Sequence, residues 1–211
     1  AILYTPGDLY REPGQLPLAY ARAAERLGAR LLPHTAVTDI LLRDGVVQGV
    51  VTERGQLAAP VVMHRLAPAP HADLRLDDGD MLIVGDLRLK ALHTPGHTRD
   101  SMSLVMDDRV FTGDTLLIGG TGRTDLPTGD PHQLYESLFQ HLLKLPPETL
   151  VFPAHDYKGR SHSTIGAEIA DNPRLQKTER AEFVAMMQAL DLAAPTHLTE
   201  ALRTNISGGK T

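Results

Sequence analysis

The sequence predicts an α/β protein, and three observations carry that prediction. Apolar and β-branched runs of strand length recur along the chain, bounded by Gly, Pro and Asp. Over two longer stretches, apolar residues recur every three or four positions, the spacing of one helical face. Three of the strand-like runs stop a few residues before a His or Asp set in a turn, as happens where strand ends carry functional loops.

Taken in order, Leu16, Ala19, Tyr20, Ala23 and Leu27 share a helical face, and Gly28 closes that helix. Strands are expected at Arg30–Leu32 and Val37–Leu42. Asp44-Gly45 predicts a hairpin turn into Val46–Thr52, and Arg54-Gly55 a second turn toward Leu57–Val62. Residues 1–63 therefore read as a β-α-β-β unit. Ala67-Pro68-Ala69-Pro70 predicts an irregular crossing, because proline removes backbone donors. Residues 64–211 form a second portion. In it, Asp77-Asp78-Gly79-Asp80 is a turn, and strands are expected at Leu87–Leu92, at Ser103–Phe111 turned at Asp107-Asp108, and at Thr149–Phe152. Asp130 caps a helix predicted over Pro131–Leu145, with Leu134, Leu138, Leu142 and Leu145 on one face. Ser163–Ile169 and Ala181–Leu190 are further helices, the tail Ser207–Thr211 is expected to be mobile, and no internal repeat is found.

A chain of 211 residues can bury one good core or two small ones. Its formal charge of -5 leaves no basic surplus to displace counterions, which argues against nucleic acid as a partner. The absence of cysteine excludes disulfides, thiolate metal sites and cysteine nucleophiles, and is compatible with a cytoplasmic location. No apolar run reaches the ~18 residues that would span a bilayer, and the first residues show no signal-peptide pattern. Without an initial Met, the sequence reads as a processed, trimmed or partial product.

The chemistry is concentrated in three stretches: His93-Thr94-Pro95-Gly96-His97-Thr98, Phe111-Thr112-Gly113-Asp114-Thr115 and Pro153-Ala154-His155-Asp156-Tyr157. Strand ends on one edge of a sheet converge, so His97, Asp114 and His155 can meet despite their separation in sequence. Imidazole and carboxylate together suit zinc or ferrous iron. Glycines beside the first two ligands let the backbone turn sharply enough to aim them inward. His64 and His71 are weaker candidates for a third ligand, since a lone histidine in such a stretch is usually solvated.

With Asp77–Asp80, Gly122-Arg123-Thr124-Asp125 and Asn172-Pro173-Arg174-Leu175 added in this order, the second portion resembles the metallo-β-lactamase superfamily, most closely its persulfide dioxygenases, relatives of glyoxalase II. The resemblance implies a partial metallo-β-lactamase αββα sandwich preceded by the β-α-β-β unit, with the metal at one edge. It implies Fe(2+), with Zn(2+) as the alternative, and oxidation of glutathione persulfide by dioxygen to sulfite and glutathione. His97 and Asp114 match iron ligands. His155 matches a position that binds the second metal in two-metal hydrolases. Arg123, Tyr157 and Arg174 match positions on the glutathione side of the pocket, Tyr157 also being the catalytic candidate. For each a plainer role stays open: core packing for Tyr157, tying the glycine-rich loop to Asp125 or to free carbonyls for Arg123, and capping a helix end for Arg174.

The superfamily's leading His-x-His-x-Asp-His motif is absent from this sequence. In its place, Tyr4-Thr5-Pro6-Gly7-Asp8, Glu12-Pro13, the helix Tyr20–Gly28 and Thr38-Asp39-Ile40 resemble an internal piece of FAD-dependent oxidoreductases of the glycine and sarcosine oxidase type. That piece lacks the Gly-x-Gly-x-x-Gly turn for the FAD pyrophosphate, so no FAD is expected. A lost sheet would leave strands Leu87–Leu92 and Ser103–Val110 with an unpaired edge or an uncovered face, which makes a homo-oligomer an expectation. Three functions stay open: a sulfur dioxygenase, a zinc thioester hydrolase of the glyoxalase II kind, and a non-catalytic remnant.

Overall fold

Residues 36–43, 46–58, 61–70, 72–84 and 86–193 are described in the computed structural model of the chain. Strands β1 (Val37–Arg43), β2 (Val46–Thr52) and β3 (Gly55–Ala58) form an antiparallel meander, and β4 (Val62–His64) pairs in parallel with β5 (Leu74–Leu76). The main sheet has six strands. These are β6 (Met81–Val84), β7 (Leu87–His93), β8 (Met102–Val105), β9 (Arg109–Gly113), β12 (Leu150–Pro153) and β13 (Ser163–Thr164), in the order β13-β12-β9-β8-β7-β6. A short hairpin of β10 (Leu116–Leu117) and β11 (Gly120–Thr121) follows β9.

The strands expected from Val37 to Leu42, Val46 to Thr52, Leu87 to Leu92 and Thr149 to Phe152, and both arms of the Asp107-Asp108 turn, are present within about two residues. Four expectations need correction. Leu57–Val62 is not one strand: β3 ends at Ala58 and β4 pairs instead with β5, the intervening Pro60 having no N–H for a ladder. Ser163 and Thr164 form β13, which pairs with β12. There Thr164 caps helix α2 (Ile165–Asp171), its hydroxyl accepting from the Ala167 N–H at 3.1 Å. Strands β7 and β8 are interior to the sheet, whose edges are β6 and β13.

The fourth correction concerns the leucine-faced helix. It is α only over α1 (Pro131–Glu136), then winds as a π turn at Ser137–His141 and a 3-10 turn at Leu142–Lys144. A strict four-residue spacing drifts by about 40° per step around an α-helix, and the wider π turn offsets that drift. Leu134, Leu138 and Leu142 accordingly all stay fully buried. Asp130 caps the start as expected, accepting from the His132 N–H at 2.7 Å.

Those three leucines meet Val110 and Val151 of the sheet, Ile165 of α2, and Phe183 and Met187 of helix α3 (Arg180–Gln188) in one hydrophobic core. The Ala67–Pro70 stretch is irregular but anchored, since the Arg75 guanidinium donates to the carbonyls of Ala67 and Ala69. Among the described residues no helix is long and apolar enough to cross a membrane. The helix ending at Gly28, the Arg30–Leu32 strand, the Asp44-Gly45 turn, His71 and the C-terminal tail lie outside the described residues.

Candidate functional site

Strands β9 and β12 are parallel neighbours, and β7 runs with them because two antiparallel pairings separate it from β9. All three therefore end at the same edge of the sheet, and the loops that leave them carry His97, Asp114 and His155. The Asp114 carboxylate is the hub. Its Oδ2 lies 3.7 Å from His97 Nε2, and its Oδ1 accepts a 2.6 Å hydrogen bond from His155 Nδ1. Asp114 and His97 are only about a fifth exposed, whereas His155 is 57% exposed.

The His97 side is set by backbone. His97 Nδ1 donates to the Arg123 carbonyl at 2.9 Å, so in the neutral ring Nε2 carries a lone pair and faces the carboxylate. In that neutral form two acceptors stand opposite each other, at a distance too long for a hydrogen bond. Gly96, at φ 134, seats its loop directly on α1: a Cβ there would lie 2.4 Å from the Leu134 backbone. Gly122 is equally confined, because a Cβ would sit 1.9 Å from the Asp114 carbonyl oxygen and 3.0 Å from the His97 Cβ. Beneath both ligand loops, the fully buried hydroxyls of Thr94, Ser103 and Thr115 bond to one another.

On the other side, His155 is held by little besides its bond to Asp114. The neighbouring Asp156 is tied into the loop by the guanidinium of Arg160 at 2.8 Å and by the backbone N–H groups of Lys158 and Arg160. Tyr157 is 86% exposed, its ring parallel to that of His155 with centroids 6.2 Å apart. Core packing is thereby excluded as its role.

Arg123 and Arg174 both point into structure. The Arg123 guanidinium makes a two-pronged pair with Asp125 at 2.5 and 2.6 Å and donates to the carbonyls of Leu192 and Ala193. That hydrogen bonding holds the Asp125 carboxyl below its ordinary range. This is the loop-tying arrangement weighed from the sequence, and a substrate carboxylate would have to compete with Asp125. Arg174 does not cap a helix end. It donates to the Thr121 carbonyl at 2.6 Å and to the Thr121 hydroxyl at 3.1 Å, and burial pushes its pKa down. Buried Glu168 and Asn172 hold the same hairpin, Glu168 accepting from the Gly119 N–H and Asn172 donating to the Gly120 carbonyl.

Two donors sharing an ion at about 2.1 Å lie about 3 to 3.5 Å apart, so His97 Nε2 and Asp114 Oδ2 fit a divalent cation with little adjustment. The Arg123 carbonyl completes that fit, since a metal-binding imidazole characteristically donates its other N–H to such a group. His155 meets Asp114 in direct hydrogen-bond contact instead, and among the described residues no three His, Cys, Asp or Glu side chains stand ready around one ion. His64 is not at this centre. It is buried and stacks on His93 with ring centroids 4.1 Å apart. The sequence reading missed Gly122, the Arg123 carbonyl and the three buried hydroxyls, although Thr94, Thr115 and Gly122 stand inside or beside the motifs that named the ligands.

A family model described as "Metallo-beta-lactamase superfamily" matches residues 20–155. The chain belongs to the metallo-beta-lactamase superfamily. The match begins within the first segment and crosses the 63–64 boundary. Human mitochondrial persulfide dioxygenase ETHE1 is 40% identical over 150 residues, which cover 70% of this chain and 58% of that protein. The chain thus spans little more than half the length of this superfamily relative. A beta-lactamase hydrolase-like protein of Xylella fastidiosa is 37% identical over 142 residues, covering 63% of this chain and 33% of the other. Among solved structures, ETHE1 from Myxococcus xanthus superposes with a TM-score of 0.70 at 37% identity, covering 93% of this chain and 85% of that one.

Proposed function

We propose that this superfamily member is a metal-dependent dioxygenase of the persulfide dioxygenase kind, with a glutathione-derived persulfide as substrate and ferrous iron at His97 and Asp114. The observation that carries the proposal is the His97–Asp114 pair, two facing acceptors 3.7 Å apart, one of them fixed by the Arg123 carbonyl. Identity of 40% to a persulfide dioxygenase supports the choice of reaction over others in the superfamily.

Ferrous iron, when bound, would bring dioxygen and the persulfide together and relay electrons from the sulfur, which is oxidised, to dioxygen, which is reduced. The chain's own residues do the rest. His97 offers its Nε2 lone pair, held in register by the Nδ1–H bond to Arg123. Asp114 brings negative charge that favours a cation at this edge of the sheet. Tyr157, exposed beside His155, is the side chain free to meet the substrate, while Arg123 and Arg174 shape the pocket by fixing the loop between them. The sequence has none of the His-x-His-x-Asp-His residues. The expected affinity for metal is therefore below that of a complete ligand set. Every named site residue lies in residues 64–211, which the same reading treats as the portion that carries the chemistry.

One observation favours a second reading. His155, at a position that resembles the second-metal site of two-metal hydrolases, touches Asp114 directly, and hydrolase-like proteins are among the relatives. A zinc thioester hydrolase is that alternative. Elemental analysis of purified protein, with oxygen uptake on glutathione persulfide, separates the two. Bound iron with oxygen consumption, both lost in Asp114→Ala, is expected. Bound zinc with acyl-glutathione cleavage would establish the hydrolase, and folded protein with neither metal nor turnover would leave a non-catalytic fold.

A further inference from the structure

The loops carrying His97 and Asp114 leave strands that are not neighbours, since β8 lies between β7 and β9. At about 4.8 Å per strand the two strand ends are roughly 10 Å apart, yet the functional groups approach to 3.7 Å. The two side chains can span that gap, but sheet order alone does not fix their separation, which depends on how the two loops are held relative to each other.

Thr115 joins them. This residue follows Asp114 directly, and its side chain is fully buried. Its hydroxyl donates to the Thr94 carbonyl at 3.0 Å and lies 3.2 Å from the Thr94 hydroxyl, which in turn is 2.9 Å from Ser103 Oγ on the intervening β8. Thr94 stands three residues before His97, and its own N–H is used by the Ser101 carbonyl at 3.0 Å. Near Asp114, the turn is closed on itself by the Thr115 N–H to the Thr112 carbonyl and by the Thr112 hydroxyl to the Leu116 carbonyl. The Thr115 hydroxyl is thus the direct side-chain link from the Asp114 turn to the strand end that launches the His97 loop, beside a backbone route in which the Gly122 N–H bonds to the Thr115 carbonyl and the next carbonyl, of Arg123, holds His97. In a site closed to water, deleting that hydroxyl leaves a buried carbonyl short of a donor, which costs more than the bond itself is worth.

We propose that Thr115 is a positioning residue whose buried hydroxyl, bonded to Thr94 over Ser103, ties the two ligand loops together and sets the His97–Asp114 separation. The role in metal binding rests on the reading of that pair given above; the tie between the loops does not.

The test compares Thr115→Val, which keeps the shape and loses the hydroxyl, with Thr115→Ser, which keeps the hydroxyl. Amide hydrogen exchange is followed at Thr94 and Gly96 in metal-free protein, and Co(2+) affinity is measured by visible titration. Thr115→Val should speed exchange at both amides about tenfold and weaken Co(2+) binding about tenfold, with Thr115→Ser close to the parent on both. If Thr115→Val does not fold, Thr115→Ala is the second hydroxyl-free variant and the same outcomes apply. Exchange at Thr94 and Gly96 unchanged without the hydroxyl, or Thr115→Ser behaving like Thr115→Val, would overturn the proposal. A parent protein that takes up no Co(2+) would sink the metal reading, while the exchange data would still decide for or against the tie.

Discussion

The two flanks of the Asp114 carboxylate are built differently. On the His97 flank everything is fixed from behind: a backbone carbonyl orients the ring, glycines at 96 and 122 leave no spare room, and buried hydroxyls join the loops. On the His155 flank the ring is 57% exposed, rests on the carboxylate itself, and stands beside an exposed tyrosine. The closed flank holds a geometry that water cannot rearrange. The open flank is the more accessible one, because its imidazole is more than half exposed and rests on a single hydrogen bond to the carboxylate.

The comparison breaks most completely at Gly122. A methyl group there would overlap the Asp114 carbonyl and press on His97, so Gly122→Ala should destabilise the fold by about 3 kcal/mol and abolish metal uptake together, as read by denaturant unfolding and metal analysis. Replacing the two histidines sharpens it. His97→Ala should weaken metal binding roughly a hundredfold, and His155→Ala by about tenfold at most, in parallel titrations. Equal losses would mean that both flanks hold the ion alike and that the asymmetry has no functional weight.

The smallest effect lies behind the closed flank, where His64 stacks on His93 at the end of the strand that launches the His97 loop. Burial foremost, and then the neighbouring His93, push the His64 pKa below its ordinary 6.5. The His64 Nε2 has no hydrogen-bond partner among the described residues. The folded state thus disfavours the protonated ring, while the unfolded chain takes up a proton near 6.5. Stability from this group is complete above that value and falls as pH drops from about 6.5 toward the lowered folded pKa. Unfolding measured between pH 7.5 and 5 should show that decline in the parent and a shallower one in His64→Phe.

Local pattern made much of this legible. The runs at 87–92 and 149–152 and the Asp107-Asp108 turn mark strands by composition, and Asp130 followed by Pro131 marks a helix start. The three motif residues His97, Asp114 and His155 were recoverable as a set because strands running in one direction end at one edge. Other features were hidden for identifiable reasons. Leu57–Val62 reads as one apolar run, and its division into β3 and β4 depends on a partner strand, β5, seventeen residues further along than the start of that run. Arg123 matched a pocket position by motif and its tie to Asp125 was open from the sequence, but its bonds to the Leu192 and Ala193 carbonyls depend on a segment about seventy residues away.

By itself the sequence determined which side chains stand at strand ends, where glycines beside the ligands permit sharp turns, and that this chain offers no cysteine. Those properties follow from residue identity and from backbone preferences that act over a few positions. Only the tertiary structure decided that His97 faces Asp114 while His155 bonds to it, that Tyr157 is exposed, and that Arg123 and Arg174 bond to Asp125 and to backbone carbonyls. Each of these turns on distances between loops that are remote in the chain, set by sheet order, by packing on α1 and by buried hydrogen bonds whose partners no local pattern names.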